Sequence, residues 1–391
     1  MNKIQMPFQA ADILIPKDNH GKWAVIACDQ FTSDREYWNK TSEIVGNAPS
    51  ALNIVLPEIY LEDDDAEQRI IDINSKMTEY IENEIFDVFM DSMIFVERTM
   101  PNGKIRYGIV GAVDLEAYDY NKGATSLIRA TEGTVLDRIP PRVKIRENAP
   151  IESPHIMVLI DDPAKTVIEP LISAEQTIVY DFDLMLGGGN IKGKLIDKTA
   201  QDNIINALGN LCVGENPLLF AMGDGNHSLA TAKACYVANP TPLNRYALVE
   251  IVNVHDDALE FEPIYRVLFN VDTADILSKM GGDGHKYRYI TASGDGEIGL
   301  SATSALPVGT LQNFIDDYIA ANPQVKVDYI HGIEAVEKLS QAENTIGFIF
   351  DGMEKAELFP TVKQDGALPR KTFSMGEAVS KRYYMECRRI K

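Results

Sequence analysis

Apolar positions along the chain change period several times, and each change predicts an element. The run "KWAVIA" (Lys22–Ala27) reads as a buried strand, followed by the loop "CDQFT". Ser33-x-x-Glu36 then spells a capping box at the head of a helix. Ile70, Ile73, Met77, Tyr80 and Ile81 recur at helical spacing and predict a long acidic helix over Asp63–Phe86. "SMIFVERTM" and "IRYGIVGAVDLEAY" read as strands joined at Pro101-Asn102-Gly103, whose Asn-Gly pair favours a hairpin. "PRVKIRE" and "HIMVLIDDP" read as extended, and "TIVYDFDLMLGGGNIKGKLI" as a hairpin about its glycines. The helix "DKTAQDNIINALGNL" precedes a strand, "LLFAM", that passes through Gly223-Asp224-Gly225-Asn226-His227-Ser228 into an alanine-rich helix.

"RYALVEIVNVHD" reads as a strand and "EFEPIYRVLFN" as extended. Beyond about Val271 a Gly/Asp-rich stretch leads to the helix "TLQNFIDDYIAAN" and the alternating "KVDYIHGIEAVEKLSQAENTIGFIF". This order predicts an α/β or α+β fold, a mixed sheet with hairpins and flanking helices. A main α/β domain is expected over residues 1–270, and a smaller C-terminal α/β region, a lid or a separate domain, over 271–391.

Charge narrows the partners. With 58 acidic against 37 basic residues the net charge is −21, a field that repels nucleic acid and anionic membrane. The expected partner is a small molecule, and for an anionic one the bases should cluster. Cys28, Cys212, Cys235 and Cys387 form no C-x-x-C pair, the N-terminus shows no export pattern, and no apolar run reaches membrane-spanning length. A cytoplasmic location is therefore expected.

The strand-to-helix turn is the foremost candidate site. A helix N-terminus offers unpaired N–H groups and partial positive charge to a phosphate. Gly223 and Gly225 allow close backbone approach, Asn226 or Ser228 can cap the helix or donate to an anion, and His227 can donate or shuttle a proton. Asp224 suits a Mg²⁺ ligand or a general base. A capped corner without chemistry is the alternative. Asp29 ends an apolar run before a helix, where catalytic side chains commonly stand, or else caps a loop. In a strand, Arg142, Lys144 and Arg146 would form a basic row, joined by Arg129 near Glu132: an anion pocket, or a solvated edge. His255, Asp256, Asp257 and Glu260 invite a metal hypothesis without a ligand spacing to support it. Neither a Walker A loop nor a G-x-G-x-x-G helix opening is present.

These segments, in this order, resemble a bacterial and archaeal family catalogued as domain of unknown function 1015. Its D-G-H-H-R-x-x-x-A motif corresponds to Asp224–Ala232, with Asn226 in place of the first histidine and Ser228 in place of the arginine. "IRATEGT" matches a second segment at Arg129, Glu132 and Thr134; "YALVEIVNVHDDALEFEPIYR" a third, ending at Arg266. "LPRKTFSMGEA" matches a fourth at Pro369, Lys371, Thr372 and Phe373, and "ACDQF" an early acidic loop at Asp29. The turn is also similar to the G-x-H-R turn of the ParB/sulfiredoxin-like nucleotide-binding fold, which serves free-serine kinases. The resemblance implies a nucleotide-dependent phosphotransferase acting on a small hydroxylated metabolite, with ATP or ADP as co-substrate and Mg²⁺ held at Asp224. It makes Asp29, Asp224 and His227 catalytic. Together with the basic row read above, it leaves Gly223, Gly225, Asn226, Ser228, Arg129, Glu132, Arg142, Lys144, Arg146, Arg266 and Lys371 as the expected phosphate-binding residues. The alternatives are a non-catalytic nucleotide or anion sensor, and a metal-dependent hydrolase.

Overall fold

A computed structural model describes residues 6–133 and 139–391. Thr134 lies outside the described residues. The chain forms two compact units, Met1–Leu259 with Glu377–Lys391, and Glu260–Gly376.

The first unit is built on a mixed sheet of ten strands among the described residues. Across it run Thr177–Leu184, Gly189–Leu195, Ile94–Thr99, Ile105–Asp114, Tyr246–Asn253, Met157–Ile160, Phe220–Asp224, Ile128–Arg129 and Tyr118–Asp119, with Phe8–Gln9 beside Ile105–Asp114. Strict alternation along these strands sends side chains to opposite faces. Ile94, Val96, Val110 and Leu248 face a core completed by Trp23, Trp38, Met77 and Tyr80. Phe95, Ile109, Val158 and Met222 face another, completed by Ile204 and Leu208 of the helix Lys198–Leu211 and Leu229 and Ala230 of the helix Asn226–Ala238. Helices thus cover both faces of a mixed sheet, the α/β class that the alternation predicts.

The Asn102-Gly103 hairpin and the hairpin over 177–195 form as expected, with Gly103 left-handed at φ 81°. The long acidic helix is shorter than its pattern, Ala66–Glu82. Three other expectations are corrected. "KWAVIA" is no strand: His20–Trp23 is helical, and Ile26 makes only an isolated bridge to Tyr383. Burial from all sides makes those residues apolar whatever their backbone. Asp34, rather than Ser33, caps the helix Arg35–Val45, accepting from the Tyr37 N–H at 3.0 Å. "PRVKIRE" belongs to a helix, Ile139–Arg146, whose adjacent prolines fit a first helical turn.

The second unit holds a six-stranded sheet, with Phe261–Phe269 between Thr345–Ile349 and Lys326–His331, and the helix Pro307–Ala321.

Candidate functional site

The strand Phe220–Asp224 delivers the turn. Its register against Met157–Ile160 slips between Met222 and Asp224, leaving Gly223 at a bulge. A Cβ on Gly223 would stand 3.0 Å from Leu159 Cγ, so a side chain there would require Leu159 to give way. Gly225 is left-handed at φ 76°, and its Cβ would meet Ile156 Cα at 3.0 Å. Gly225 is itself the residue before the helix, and no side chain caps it. The expected cap by Asn226 or Ser228 is therefore absent: Asn226 already lies inside the first turn. The opening N–H groups have no intrahelical acceptor, and the buried Asn226 Oδ1 has no hydrogen-bond partner.

Asp29 reaches this turn through a contact from the far end of the chain. Residues 25–27 run antiparallel to 382–384, with Ala27 N–H donating to Arg382 O and Tyr384 N–H to Val25 O. Asp29 Oδ2 then lies 3.5 Å from His155 Nε2, and Ser228 Oγ lies 3.4 Å from the same nitrogen. The Tyr384 hydroxyl is 2.9 Å from His155 Nδ1. Lys381 Nζ stands 3.4 Å from Asp224 Oδ2, while Asp224 Oδ1 accepts from Gly225 N–H at 2.9 Å. Thus Asp29, Asp224, Asn226 and Ser228 come together, with His227 on the same turn. His155, Lys381 and Tyr384 join them without having been singled out by the sequence.

The electrostatics follow from burial and pairing. Burial opposes ionisation of Asp29, but the His155 charge and hydrogen bond, with Gln30 and Lys381, outweigh it and hold the carboxyl below its usual range. Burial likewise opposes a charged His155, but Asp29 and Asp224 lift its pKa above 6.5. Each member of the pair therefore favours the charged form of the other. Burial and the neighbouring Asp29 push the Cys28 thiol up to about 12, which leaves it a poor nucleophile.

The other predicted residues stand elsewhere. Buried Arg129 donates to the carbonyls of Ser126 at 2.7 Å and Pro217 at 3.1 Å and to Asn216, bracing loops beside its strand. Glu132 follows that strand, half-buried. The basic row does not exist as a strand face. Arg142 pairs with Glu58, Lys144 with Glu67 and Arg146 with Glu152, and their helix packs on Asn226–Ala238. Arg266 and Lys371 belong to the second unit: the Arg266 guanidinium takes the Lys371 carbonyl at 2.9 Å and Gln312 Oε1 at 3.0 Å, and the Lys371 side chain is exposed. His255 Nε2 lies 2.8 Å from Asp161 Oδ1, and Asp256 accepts from the Tyr107 and Ala258 N–H groups. Among the described residues no group of three or more His, Cys, Asp or Glu could hold a metal ion, so the donor set of a metal-dependent hydrolase is not assembled there. The four cysteines are free thiols. No helix among the described residues is long and apolar enough to cross a membrane.

A buried ion network fixes the C-terminal strap that supplies Lys381 and Tyr384. Arg382 Nε and Nη2 each stand 2.7 Å from a carboxylate oxygen, of Glu250 and Glu386 respectively. Its third nitrogen, Nη1, donates to the Pro154 carbonyl, one residue from His155.

No curated protein matches this chain. Among solved structures, a free serine kinase variant in complex with AMP is similar at 11% identity and a TM-score of 0.42, over 73% of this chain and 94% of its own. A conserved hypothetical protein from Pyrococcus furiosus is similar at 10% identity and TM-score 0.37, over 70% and 93% respectively. SbnI with C-terminal truncation, from Staphylococcus aureus, stands at 10% and 0.35, over 68% and 83%. The family model described as protein of unknown function (DUF1015) matches residues 6–369, and the chain belongs to that family.

Proposed function

We propose that the first unit is a phosphotransferase that takes a nucleotide as co-substrate and acts on a small hydroxylated metabolite. One observation carries the reading: Ser228, in the first turn of an uncapped helix, meets the Asp29–His155 pair, with Lys381 beside Asp224 at the end of the preceding strand. Phosphate oxygens set against the opening amides of that helix would meet N–H donors and the positive end of its dipole. His227 would donate to one of them. The partnerless Asn226 Oδ1 suits a ligand hydroxyl, because a buried acceptor without a donor is costly. His155 and Lys381 would offset the negative charge that moves to the leaving oxygen. Asp29 would take the acceptor's proton; a weakly basic carboxylate suffices where the transferring phosphoryl is loosely bound and proton loss comes late.

Mg²⁺ fits this donor set only together with its nucleotide. Asp224 offers one carboxylate, and phosphate oxygens and water would complete the octahedron. The ion would supply charge neutralisation on the phosphates.

Calorimetric titration with Mg–ATP, Mg–ADP and Mg–CTP tests the reading. Binding of at least one is expected, and no heat from any of them with folded protein would remove it. A second reading, a sensor that binds nucleotide or anion without turnover, is favoured by Ser228 standing where the family turn has arginine. Asp224→Asn separates the two. An enzyme would lose turnover and keep its ligand, whereas a sensor, relieved of a repelling carboxylate, would bind an anion as well or better.

A further inference from the structure

A cavity of about 140 Å³ lies within the first unit, against the first turns of the helix Asn226–Ala238, where Ser228 and Thr231 line it. Most of its wall is apolar: Ile54, Leu56, Met77, Ala149 and Ile151 are all buried core residues. One corner is polar. There the His155 imidazole meets the Ser228 and Tyr384 hydroxyls that flank it. The two guanidiniums in the wall each have a glutamate beside them, Arg142 with Glu58 and Arg146 with Glu152.

These features select an occupant by size and by charge. A cavity of roughly 150 Å³ lined by aliphatic side chains takes a benzene-sized guest, so this one holds a molecule of that order and no nucleotide. A carboxylate or ammonium placed among the aliphatic side chains would lose its water, and the guanidinium charges are already matched by glutamates. A hydroxyl, by contrast, finds donors and acceptors at the His155 corner, and an apolar body gains from burial against the isoleucines.

We infer that this cavity is the acceptor subsite and that the acceptor is a small uncharged alcohol with an apolar body, of the benzyl alcohol type, rather than a polar amino acid or polyol. The inference rests on the phosphotransfer reading for the role of acceptor, though not for the selectivity of the cavity. In the step it implies, the alcohol oxygen forms a bond to the terminal phosphorus of the nucleotide. The bond from that phosphorus to the bridging oxygen breaks, and its electron pair stays on the shortened nucleotide. The hydroxyl proton passes to Asp29, which does not itself line the cavity but stands 3.5 Å from the Nε2 of His155 at its polar corner. Nucleotide and alcohol thus give a phosphate monoester, a nucleotide shorter by one phosphate, and a proton.

The test uses the full chain with benzyl alcohol, glycerol and L-serine as probes, with and without Mg–ATP, in wild type and in two cavity-filling variants. Ala149→Leu fills the cavity from a buried position; Val55→Phe does so from a half-buried one, which keeps the test open should the first fail to fold. Saturable binding of benzyl alcohol is expected, weaker by about tenfold or more in the folded variants, with the Mg–ATP titration unchanged and ADP release raised by benzyl alcohol. Tighter binding of glycerol or L-serine, or benzyl alcohol binding that the filled variants leave intact, would overturn the selectivity. Binding of both Mg–ATP and benzyl alcohol without ADP release would overturn the acceptor role. Failure of Mg–ATP to bind, with benzyl alcohol still held, would sink the phosphotransfer reading and leave the selectivity standing.

Discussion

Replacing Asp29 with asparagine removes the carboxylate 3.5 Å from His155 Nε2 and should destabilise the first unit in a pH-dependent way. His155 is buried, and the groups that act on it are Asp29, Asp224, Tyr384 and Arg382. At 3.5 Å and an effective dielectric of about 20, the pair attracts by on the order of 5 kcal/mol, most of it offset by desolvation. Without Asp29, burial and Arg382 favour a neutral imidazole in the folded state, opposed only by the more distant Asp224. The unfolded chain still binds a proton at 6.5. Keeping the ring neutral at pH 5.5 then costs about 1.4 kcal/mol, and the lost hydrogen bond brings the total to about 2 kcal/mol. The His155 pKa is raised on folding, so its contribution is complete below 6.5 and is lost as pH climbs through the folded value. The Asp29 pKa is lowered, so its contribution is present above 3.8 and is lost as pH falls through the folded value. The effect of the substitution should therefore be greatest between these pH values and shrink as pH rises through the folded His155 value. Urea unfolding followed by tryptophan fluorescence measures it, because Trp23 and Trp38, the chain's two tryptophans, both lie in the core of the first unit. An equal loss of stability at pH 5.5 and 8.5 would refute the charged pair.

Three further outcomes are expected. Arg382→Met leaves Glu250 and Glu386 buried without their shared cation and should cost about 3–5 kcal/mol in urea unfolding. Gly225→Ala puts a Cβ 3.0 Å from Ile156 Cα in a left-handed backbone, and should lower stability by about 1–3 kcal/mol by the same measurement. Lys381→Met removes the cation beside Asp224 and should weaken Mg–ATP by about tenfold in calorimetry; unchanged affinity would exclude Lys381 from the phosphate site.

The turn at Gly223–Ser228 was legible because its signal is local: an apolar strand, two glycines and a helical period lie within twenty residues. The Asn102-Gly103 hairpin was legible for the same reason. "PRVKIRE" misled because its alternating charges imitate a strand, although Ile139-Pro140-Pro141 carries a helix-start signal and Arg142 and Arg146 stand at i,i+4. "KWAVIA" misled because an apolar run reports burial and not backbone conformation. The missing half of the site depends on distance in sequence. His155 and Lys381 meet Asp29 and Asp224 only because residues 382–384 return to pair with 25–27, anchored by Arg382 between Glu250 and Glu386. No periodicity reports such a return. A lone histidine just before the buried strand Met157–Ile160 was the one available hint.

The claim that phosphates settle at the head of the helix Asn226–Ala238 is tested most directly by amide NMR of the full chain during titration with Mg–ATP. The account predicts that the largest shifts fall on the backbone N–H groups of Gly225, Asn226, His227 and Ser228, with a smaller response at Asp29. Saturable binding that leaves those four amides unmoved would contradict it.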